Sequence, residues 1–538
     1  MNTPTTVIIG GVAGGMSTAT RLRRNDENRY IIVLEASEYV SFANCGLPYY
    51  AGGVIKERDA LLLQTPEALK QRFNIDVRAK TRAVAIDREA KTVTTDAGDV
   101  IEYDELVLSP GATPFVPPIE GIDRALTLRT VEDVDRIVEV IAGKKSAAII
   151  GGGFIGLELA ENLRHRGMNT TVVEAGPQIL GPLDLEMAQL VRERMEANGV
   201  EVRRNAQAQK VTEAGVVLSS GEEIAAEVVV AAVGVRPASE LARDAGLEVA
   251  ENGGILVDNQ LRTSDPHIFA LGDAATKEDF HTGDATLVPL AQTANRHGRI
   301  VADVITGRDS ASVPVLGTAI VGVFGLAAAS TGWNERRARA AGKQVRVIHL
   351  HPLNHAGYYP GASQLHMKLV VDAKTDAILG AQAVGEEGAD KRIDVIATAM
   401  RAGLTATGLA DLELAYAPQF GSAKDPVNFA GFINDNLRRG EHSVQWHELD
   451  ERMAAGALLV DVRSPGEFAS GGIPGSVNIP LDELRERHTE IAGHEDVIVH
   501  CQVGLRGHNA ACLLTNLGYS VANLDGGYLT WKHGKASA

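Results

Sequence analysis

Apolar positions along the chain fall twice into one order: a β-branched run, a glycine-rich break, a helically spaced stretch, a second β-branched run and a carboxylate. "TVIIGGVAGGMSTATRLRRNDENRYIIVLEA" places its runs at 7–9 and 31–34 and ends at Glu35. "AAIIGGGFIGLELAENLRHRGMNTTVVEA" repeats the order and ends its second run at Glu174. Short apolar runs bounded by glycine predict buried strands, so each segment is a βαβ unit of the size of a dinucleotide-binding half. "YDELVLSPGATPFVPP" predicts a strand leaving its domain through a proline-rich crossing, and "HIFALGDAA" at 267–275 predicts a strand returning to it. The first domain is therefore read as interrupted by the second. From about 323 the pattern changes to strands such as "QLHMKLVVD" and helices such as "IDVIATAMRAG". "NLRRGEHS" reads as a linker, after which strands and helices alternate again. The expected fold class is α/β: two Rossmann-like dinucleotide-binding domains, an α+β domain and a C-terminal α/β domain. The boundaries are 1–114 with 251–322, 115–250, 323–438, a linker at 439–444, and 445–538.

The glycines suggest what the first two domains bind. The second unit carries a complete G-x-G-x-x-G in Gly151, Gly153 and Gly156, with Phe154 and Ile155 opening the helix. Glycines so placed let backbone approach a pyrophosphate at a helix N-terminus, and the acid ending the next strand accepts ribose hydroxyls. The first unit departs from this: Gly10 and Gly15 fit, but Val12 stands at the middle position. Two units imply electrons passing between two cofactors, and Gly272 with Asp273 would bring a short acid back to the first.

Composition narrows the partners. Acidic side chains outnumber basic ones by 69 to 52, for a net charge of -17, which argues against nucleic acid or an anionic membrane. A small anionic ligand then needs a local basic patch. The N-terminus enters a strand without the order of a signal peptide, and no apolar run approaches the roughly 20 residues that span a bilayer; a cytoplasmic location is expected. Cys45, Cys501 and Cys512 make no disulfide framework and match no zinc spacing. His351 and His355 in "HPLNH" lack a third ligand nearby, so no metal is expected. Cys512 lies in an apolar helical run and reads as core.

"GGVAGG", "SFANCGLPYY", "GGGFIGLELAENL" and "ALGDAA" resemble the single-cysteine branch of the flavoprotein disulfide reductases, which includes coenzyme A disulfide reductase, NADH oxidase and NADH peroxidase. The resemblance covers residues 1 to about 440. "YYPGA" at 358–362 and "YAPQFGSAKDPVN" at 416–428 resemble the coenzyme A disulfide and persulfide reductases within that branch, and 445–538 resembles a rhodanese domain. This resemblance implies FAD at Gly10, Gly11, Ala13, Gly14, Gly15, Glu35, Gly272 and Asp273. It implies a nicotinamide dinucleotide at Gly151, Gly153, Phe154, Ile155, Gly156 and Glu174. Glu174 should repel a 2'-phosphate, which favours NADH, while Arg164 and Arg166 on the preceding helix keep NADPH open.

Two-cysteine members pair thiols through C-x4-C, and here Tyr50 occupies the second position. The resemblance implies that Cys45 rests as a mixed disulfide with coenzyme A. The freed thiolate, its pKa expected to be lowered by its surroundings, would attack the sulfane sulfur of a small-molecule thiol/persulfide substrate, and coenzyme A or hydrosulfide would leave as the reduced product. Tyr416 and one of Tyr358 and Tyr359, Tyr358 first, are implied as proton donors reaching the flavin site of the other subunit of a homodimer. Coenzyme A phosphates are assigned to Arg21 and Arg24, which share a helix face. Ser17, Ser41, Asn44, Asn295 and Lys424 fit as further substrate contacts by resemblance.

In "VIVHCQVGLRG" a strand ends at Cys501 and a helix begins near Arg506. Inward backbone N–H groups at such a helix N-terminus stabilise a thiolate or persulfide. Tyrosine phosphatases use a loop one residue longer, which makes room for phosphate, and the shorter loop suits sulfur. Asp461 and Arg463 match the rhodanese framework. The expected function is NADH-dependent reduction of coenzyme A persulfide, polysulfide or related sulfane sulfur through Cys45, with Cys501 handling persulfide sulfur. The alternatives are a coenzyme A disulfide reductase, an NADH oxidase or peroxidase cycling Cys45 through sulfenic acid, and a non-enzymatic redox sensor or sulfur carrier. The tyrosine motifs argue against the oxidase. Both nucleotide sites and the intact cysteines argue against the non-enzymatic reading.

Overall fold

Each βαβ repeat builds a parallel sheet. In the computed structural model, which describes residues 3–538, the first sheet runs Ile268–Ala270, Glu105–Leu108, Thr5–Ile9, Tyr30–Leu34, Asp76–Arg78. Its residues alternate between two cores: Val7, Ile9, Ile32, Leu34 and Leu106 face one, and Ile8, Ile31, Val33, Val107 and Phe269 the other. Burial on both faces is why these strands read as continuous apolar runs. The second sheet runs Val200–Arg203, Asn169–Val173, Ser146–Ile150, Val228–Ala231, also parallel. Each sheet has a three-stranded antiparallel companion, Ala83–Glu102 beside the first repeat and Ala208–Ala225 beside the second. The two chain crossings pair with each other, Ala112–Pro114 antiparallel to Val235–Pro237.

These sheets belong to one unit, residues up to Pro177 with Gly199–Gly317; a second unit comprises Gln178–Asn198 and Thr318–Ala538. The second unit holds an antiparallel five-stranded sheet ordered Ala319–Val323, Leu326–Gly332, Ile378–Gly385, Leu365–Asp372, Val345–Leu350. Its other sheet is parallel, ordered Ser443–Val444, Val521–Leu524, Val497–His500, Leu458–Asp461, Val477–Asn478. The architecture is thus two dinucleotide-binding α/β domains, an α+β domain and a terminal α/β domain, as the sequence predicts. Helix Leu185–Ala197 lies within the span read as the second dinucleotide domain, yet it packs in the second unit, against the C-terminal helix Gly527–Ser537. No helix among the described residues is long and apolar enough to cross a membrane.

A buried charge cluster joins the parts of the second unit. The Lys368 ammonium, 1% exposed, lies 2.5 Å from Glu186, 2.9 Å from Asp184 and 2.8 Å from Glu335. It occupies the centre of a carboxylate group that would otherwise suit a cation. His349 extends the cluster, 3.0 Å from Glu186 and 2.7 Å from Asp525 of the terminal domain. Burial opposes a charge on His349, but hydrogen bonds to Asp525 and Glu186 outweigh it and raise its pKa to about 9. A raised folded-state pKa contributes stability that is complete below the ordinary value of 6.5 and is lost as pH climbs through about 9. The thermal unfolding midpoint should therefore fall across that window, with up to about 3 kcal/mol at stake. His349→Gln should flatten the slope, and an unchanged slope in that variant would contradict the assignment. Lys368→Met, which strands buried carboxylates, should cost roughly 3–5 kcal/mol in denaturant unfolding.

Candidate functional site

The first strand of each repeat ends in a glycine at positive φ, 101° at Gly10 and 111° at Gly151. A Cβ on Gly15 would lie 1.9 Å from the Gly10 oxygen, and one on Gly156 would lie 2.1 Å from the Gly151 oxygen. Only glycine permits that approach, so helices Ala13–Asn25 and Phe154–His165 start immediately beyond the strands. Gly14 and Ile155 fall in the first turns of these helices. The acids then close each turn in the same way. Glu35 accepts from the N–H groups of Gly11 and Ser37, each at 2.8 Å. Glu174 accepts from Gly152 at 2.8 Å and Gly176 at 2.7 Å. Each carboxylate is held where a dinucleotide presents its ribose. A Cβ on Gly153 would meet nothing within 4 Å, leaving the room a pyrophosphate needs. Val12 at the matching place has φ -110°, open to any residue, so its departure from the glycine pattern leaves the turn intact. Both turns fit a dinucleotide. Arg164 is taken up by the Met168 carbonyl at 3.4 Å and lies against Gly199.

Cys45 is exposed in a short turn, Asn44–Gly46, that leads into helix Leu47–Gly52. Ser41, in the left-handed region at φ 49°, donates its N–H to the Gly11 carbonyl at 2.8 Å, so the loop hangs from the first nucleotide turn. The Asn44 amide donates to the Arg129 carbonyl at 2.6 Å, and the Arg129 guanidinium donates to Asp273 at 2.8 Å. One arginine thus ties the cysteine loop to the acid that follows Gly272, itself at φ 71°. On the other side Tyr49 donates to Glu158 at 3.0 Å, and Gly52 packs so tightly on Asn162 that a Cβ would fall 2.0 Å from its Oδ1.

This setting corrects the expectation of an acidified thiol. Desolvation raises the Cys45 pKa, the Glu158 carboxylate adds to the rise, and Arg129 opposes them. Burial also pushes Glu158 up.

Among the expected coenzyme A contacts, the Ser17 hydroxyl meets Asn295 Oδ1 at 2.5 Å, joining the first helix to helix Ala291–Ile305. Arg21 pairs with Asp303 through Nε at 2.9 Å and Nη2 at 3.2 Å. The shared basic face expected of Arg21 and Arg24 is therefore reduced: Arg21 serves helix packing, and Arg24 is exposed.

In the second unit, the Tyr358 and Tyr416 hydroxyls lie 2.9 Å apart on exposed side chains. Tyr359 packs edge-on against the His355 ring. Lys424 is exposed beside buried Asp425, the cap of helix Pro426–Arg438. His351 and His355 are not a pair: His351 bonds His366 and Thr530, and His355 bonds the Ala356 carbonyl.

Cys501 is fully buried at the end of strand Val497–His500. The carbonyls of Cys501 and Gln502 accept from Tyr528 and Leu529 at 2.8 and 3.0 Å, which fastens the start of the loop to helix Gly527–Ser537. Gly504, at φ 92°, reverses the chain into helix Leu505–Asn516. The Arg506 guanidinium grips Glu467 at 2.8 and 2.6 Å and holds that carboxylate down to about 2. Below the loop Arg463 pairs with Asp461 at 2.7 Å and reaches Gln502 at 3.1 Å, a framework role matching the sequence reading.

Sequence reasoning missed Arg129, Glu158, Tyr49 and Glu467. Glu158 stands two residues after Gly156, on the helix that opens at the second turn, and Arg129 directly precedes the capping box Thr130–Asp133. Those local signals mark both as ordered, but only the fold brings them to Cys45.

The family model of pyridine nucleotide-disulphide oxidoreductases matches residues 4–298, that of their dimerisation domain 318–426, and that of rhodanese-like domains 445–533. A coenzyme A disulfide reductase of Staphylococcus aureus strain JH9 is 35% identical over 437 residues, 80% of this chain and 99% of that protein. The reduced CoADR-RHD of Bacillus anthracis superposes with TM-score 0.97 at 46% identity, covering 99% of this chain and 98% of that one. An NAD-dependent persulfide reductase from A. fulgidus superposes with TM-score 0.93 at 39% identity, covering 98% of this chain and 100% of that one. The chain belongs to the pyridine nucleotide-disulphide oxidoreductases, FAD- and NAD(H)-dependent flavoprotein enzymes, and carries their dimerisation domain followed by a rhodanese domain.

Proposed function

We propose that this enzyme uses NADH to reduce the sulfur–sulfur bond of coenzyme A persulfide, with Cys45 as the nucleophile and Cys501 as the site that receives or delivers persulfide sulfur. The observation that carries it is a second cysteine, Cys501, fully buried at a strand end where its loop turns into a helix, in the same chain as a lone exposed thiol beside two nucleotide turns. A coenzyme A disulfide reductase needs only the latter.

FAD would be held by Gly10, Gly11, Ala13, Gly14, Gly15, Glu35, Gly272 and Asp273, and NADH by Gly151, Gly153, Phe154, Ile155, Gly156 and Glu174; together they supply two electrons to sulfur. The Cys45 thiolate attacks the coenzyme A sulfur of the persulfide, releasing hydrosulfide and forming a mixed disulfide. Two electrons and one proton then return the Cys45 thiolate and coenzyme A thiol, so NADH and persulfide give NAD+, coenzyme A thiol and hydrosulfide. With coenzyme A disulfide the same attack releases a coenzyme A thiolate. The Tyr358 and Tyr416 hydroxyls, already bonded to each other, are the proton donors, contributed by the other subunit of a homodimer. Arg24, Ser17, Asn295, Ser41, Asn44 and Lys424 are the coenzyme A contacts, with Arg21 supporting the helix that bears them.

The raised Cys45 thiol makes Glu158 part of this chemistry. Desolvation and the carboxylate beside the cysteine disfavour its thiolate, and Glu158 helps hold the proton on Tyr49.

Anaerobic NADH oxidation should favour coenzyme A persulfide over the disulfide by tenfold or more in kcat/KM, about 1.4 kcal/mol of transition-state stabilisation. Equal rates would make the protein a disulfide reductase, and loss of neither activity in Cys45→Ser would remove Cys45 from the reaction. NADPH should be used at least about tenfold less efficiently than NADH, because Glu174 sits where a 2'-phosphate would lie. Glu158→Gln should make NADH-reduced enzyme react several-fold faster with iodoacetamide at neutral pH and move the pH midpoint of alkylation downward. An unmoved midpoint would separate Glu158 from the thiol.

A further inference from the structure

Cys512 does not lie in the core, as its apolar surroundings in sequence suggest. It is half-buried on helix Leu505–Asn516, one turn after His508 and on the same face. Both side chains meet Glu441, 71 residues before Cys512, in the connection between helix Pro426–Arg438 and strand Ser443–Val444. The thiol lies 3.6 Å from Glu441 Oε1 and 3.8 Å from His508 Nδ1, and Nδ1 lies 3.0 Å from Glu441 Oε2.

Thiol, imidazole and carboxylate are the three donor types that zinc combines, and the spacings suit it. Zn–S of about 2.3 Å with Zn–N and Zn–O of about 2.0–2.1 Å in a tetrahedron place donor atoms about 3.3–3.6 Å apart. The observed separations bracket that range, so small side-chain rotations bring all three atoms onto one ion. None of the three residues has a part in the two sulfur sites.

We propose that Glu441, His508 and Cys512 form a site for one divalent thiophilic transition-metal ion, of the class of Zn2+, with a fourth position left to water or a small thiol. Burial and the Glu441 carboxylate together hold the proton on Cys512, and a bound cation reverses that balance by coordinating the thiolate. Binding then exchanges a thiol proton for metal and clasps the incoming connection to the helix whose N-terminus carries the Cys501 loop. The equal access of both His508 nitrogens to Cys512, each at 3.8 Å, leaves the imidazole free to choose its coordinating atom. Sequence spacing conceals the site, because a helical His-x3-Cys pair becomes a ligand set only when the connection supplies its carboxylate.

The test uses the full-length flavoprotein, stripped with a chelator and kept reduced with a phosphine. Titration with Co2+ under nitrogen should give tetrahedral d–d absorption at wavelengths longer than the flavin bands, saturating at one ion per chain and displaced by Zn2+. Cys512→Ser and His508→Ala should each raise the dissociation constant tenfold or more, with Glu441→Gln in the same direction. Cadmium NMR of the unmutated protein, reading a donor set of one sulfur with nitrogen and oxygen, keeps the test decisive if a variant fails to fold. Undiminished binding in Cys512→Ser, octahedral spectra, or no binding at submillimolar metal would each overturn the proposal and leave a plain hydrogen-bonded triad.

Discussion

The architecture of the catalytic unit rests on one backbone contact made twice: the carbonyl that ends the first strand lies against the α-carbon of the third glycine. At Gly10 and Gly15 the gap admits no Cβ, and at Gly151 and Gly156 it is scarcely wider. That contact forces the helix to begin at once and aligns its N-terminus with the strand end. It also brings the acid of the neighbouring strand within reach of the turn's N–H groups. The cysteine loop inherits its position from the same place, because Ser41 is fastened to the Gly11 carbonyl. Cofactor turn, its acid and the Cys45 loop are therefore positioned by one constraint. A substitution at Gly15 would disturb all three without touching substrate.

Cys45 and Cys501 stand in opposite settings on this acidic protein. Cys45 is exposed, and the charges nearest to it, Glu158 and Arg129, oppose each other with the carboxylate prevailing. Cys501 is closed off from solvent at a strand end, and the arginine of its loop, Arg506, pairs with Glu467.

The sequence carried most of the fold because its main signals are local. A buried parallel strand must be apolar at every position, a dinucleotide turn must have its glycines, and an acid must end the following strand; all three can be read in a few tens of residues. The Cys501 loop is legible for the same reason. Pairings across sequence are another matter. Arg129 and Glu158 reach Cys45 only after two domains fold, and Arg21, which spacing alone assigns to a phosphate, finds Asp303 on a helix far along the chain. Cys512 shows the limit most plainly. Its flanking alanines and leucines describe a helix with an apolar face, but a single turn of error in which face is inward moves the thiol from core to the side facing Glu441.

Helix Leu185–Ala197 explains why the rhodanese domain is more than a tethered attachment. Its Glu186 shares the Lys368 ammonium with Asp184 and Glu335 and shares His349 with Asp525, so residues from the chain's middle, the antiparallel sheet and the terminal domain satisfy one another's charge. Separating the terminal domain would take Asp525 from His349 and strip helix Gly527–Ser537 from the helix that bears Glu186. Removing one partner from a buried ion pair costs about 3–5 kcal/mol, more than the surface ion pairs of a loosely linked domain contribute. The arrangement ties the Cys501 sheet to the antiparallel sheet, whose strand Val345–Leu350 carries His349.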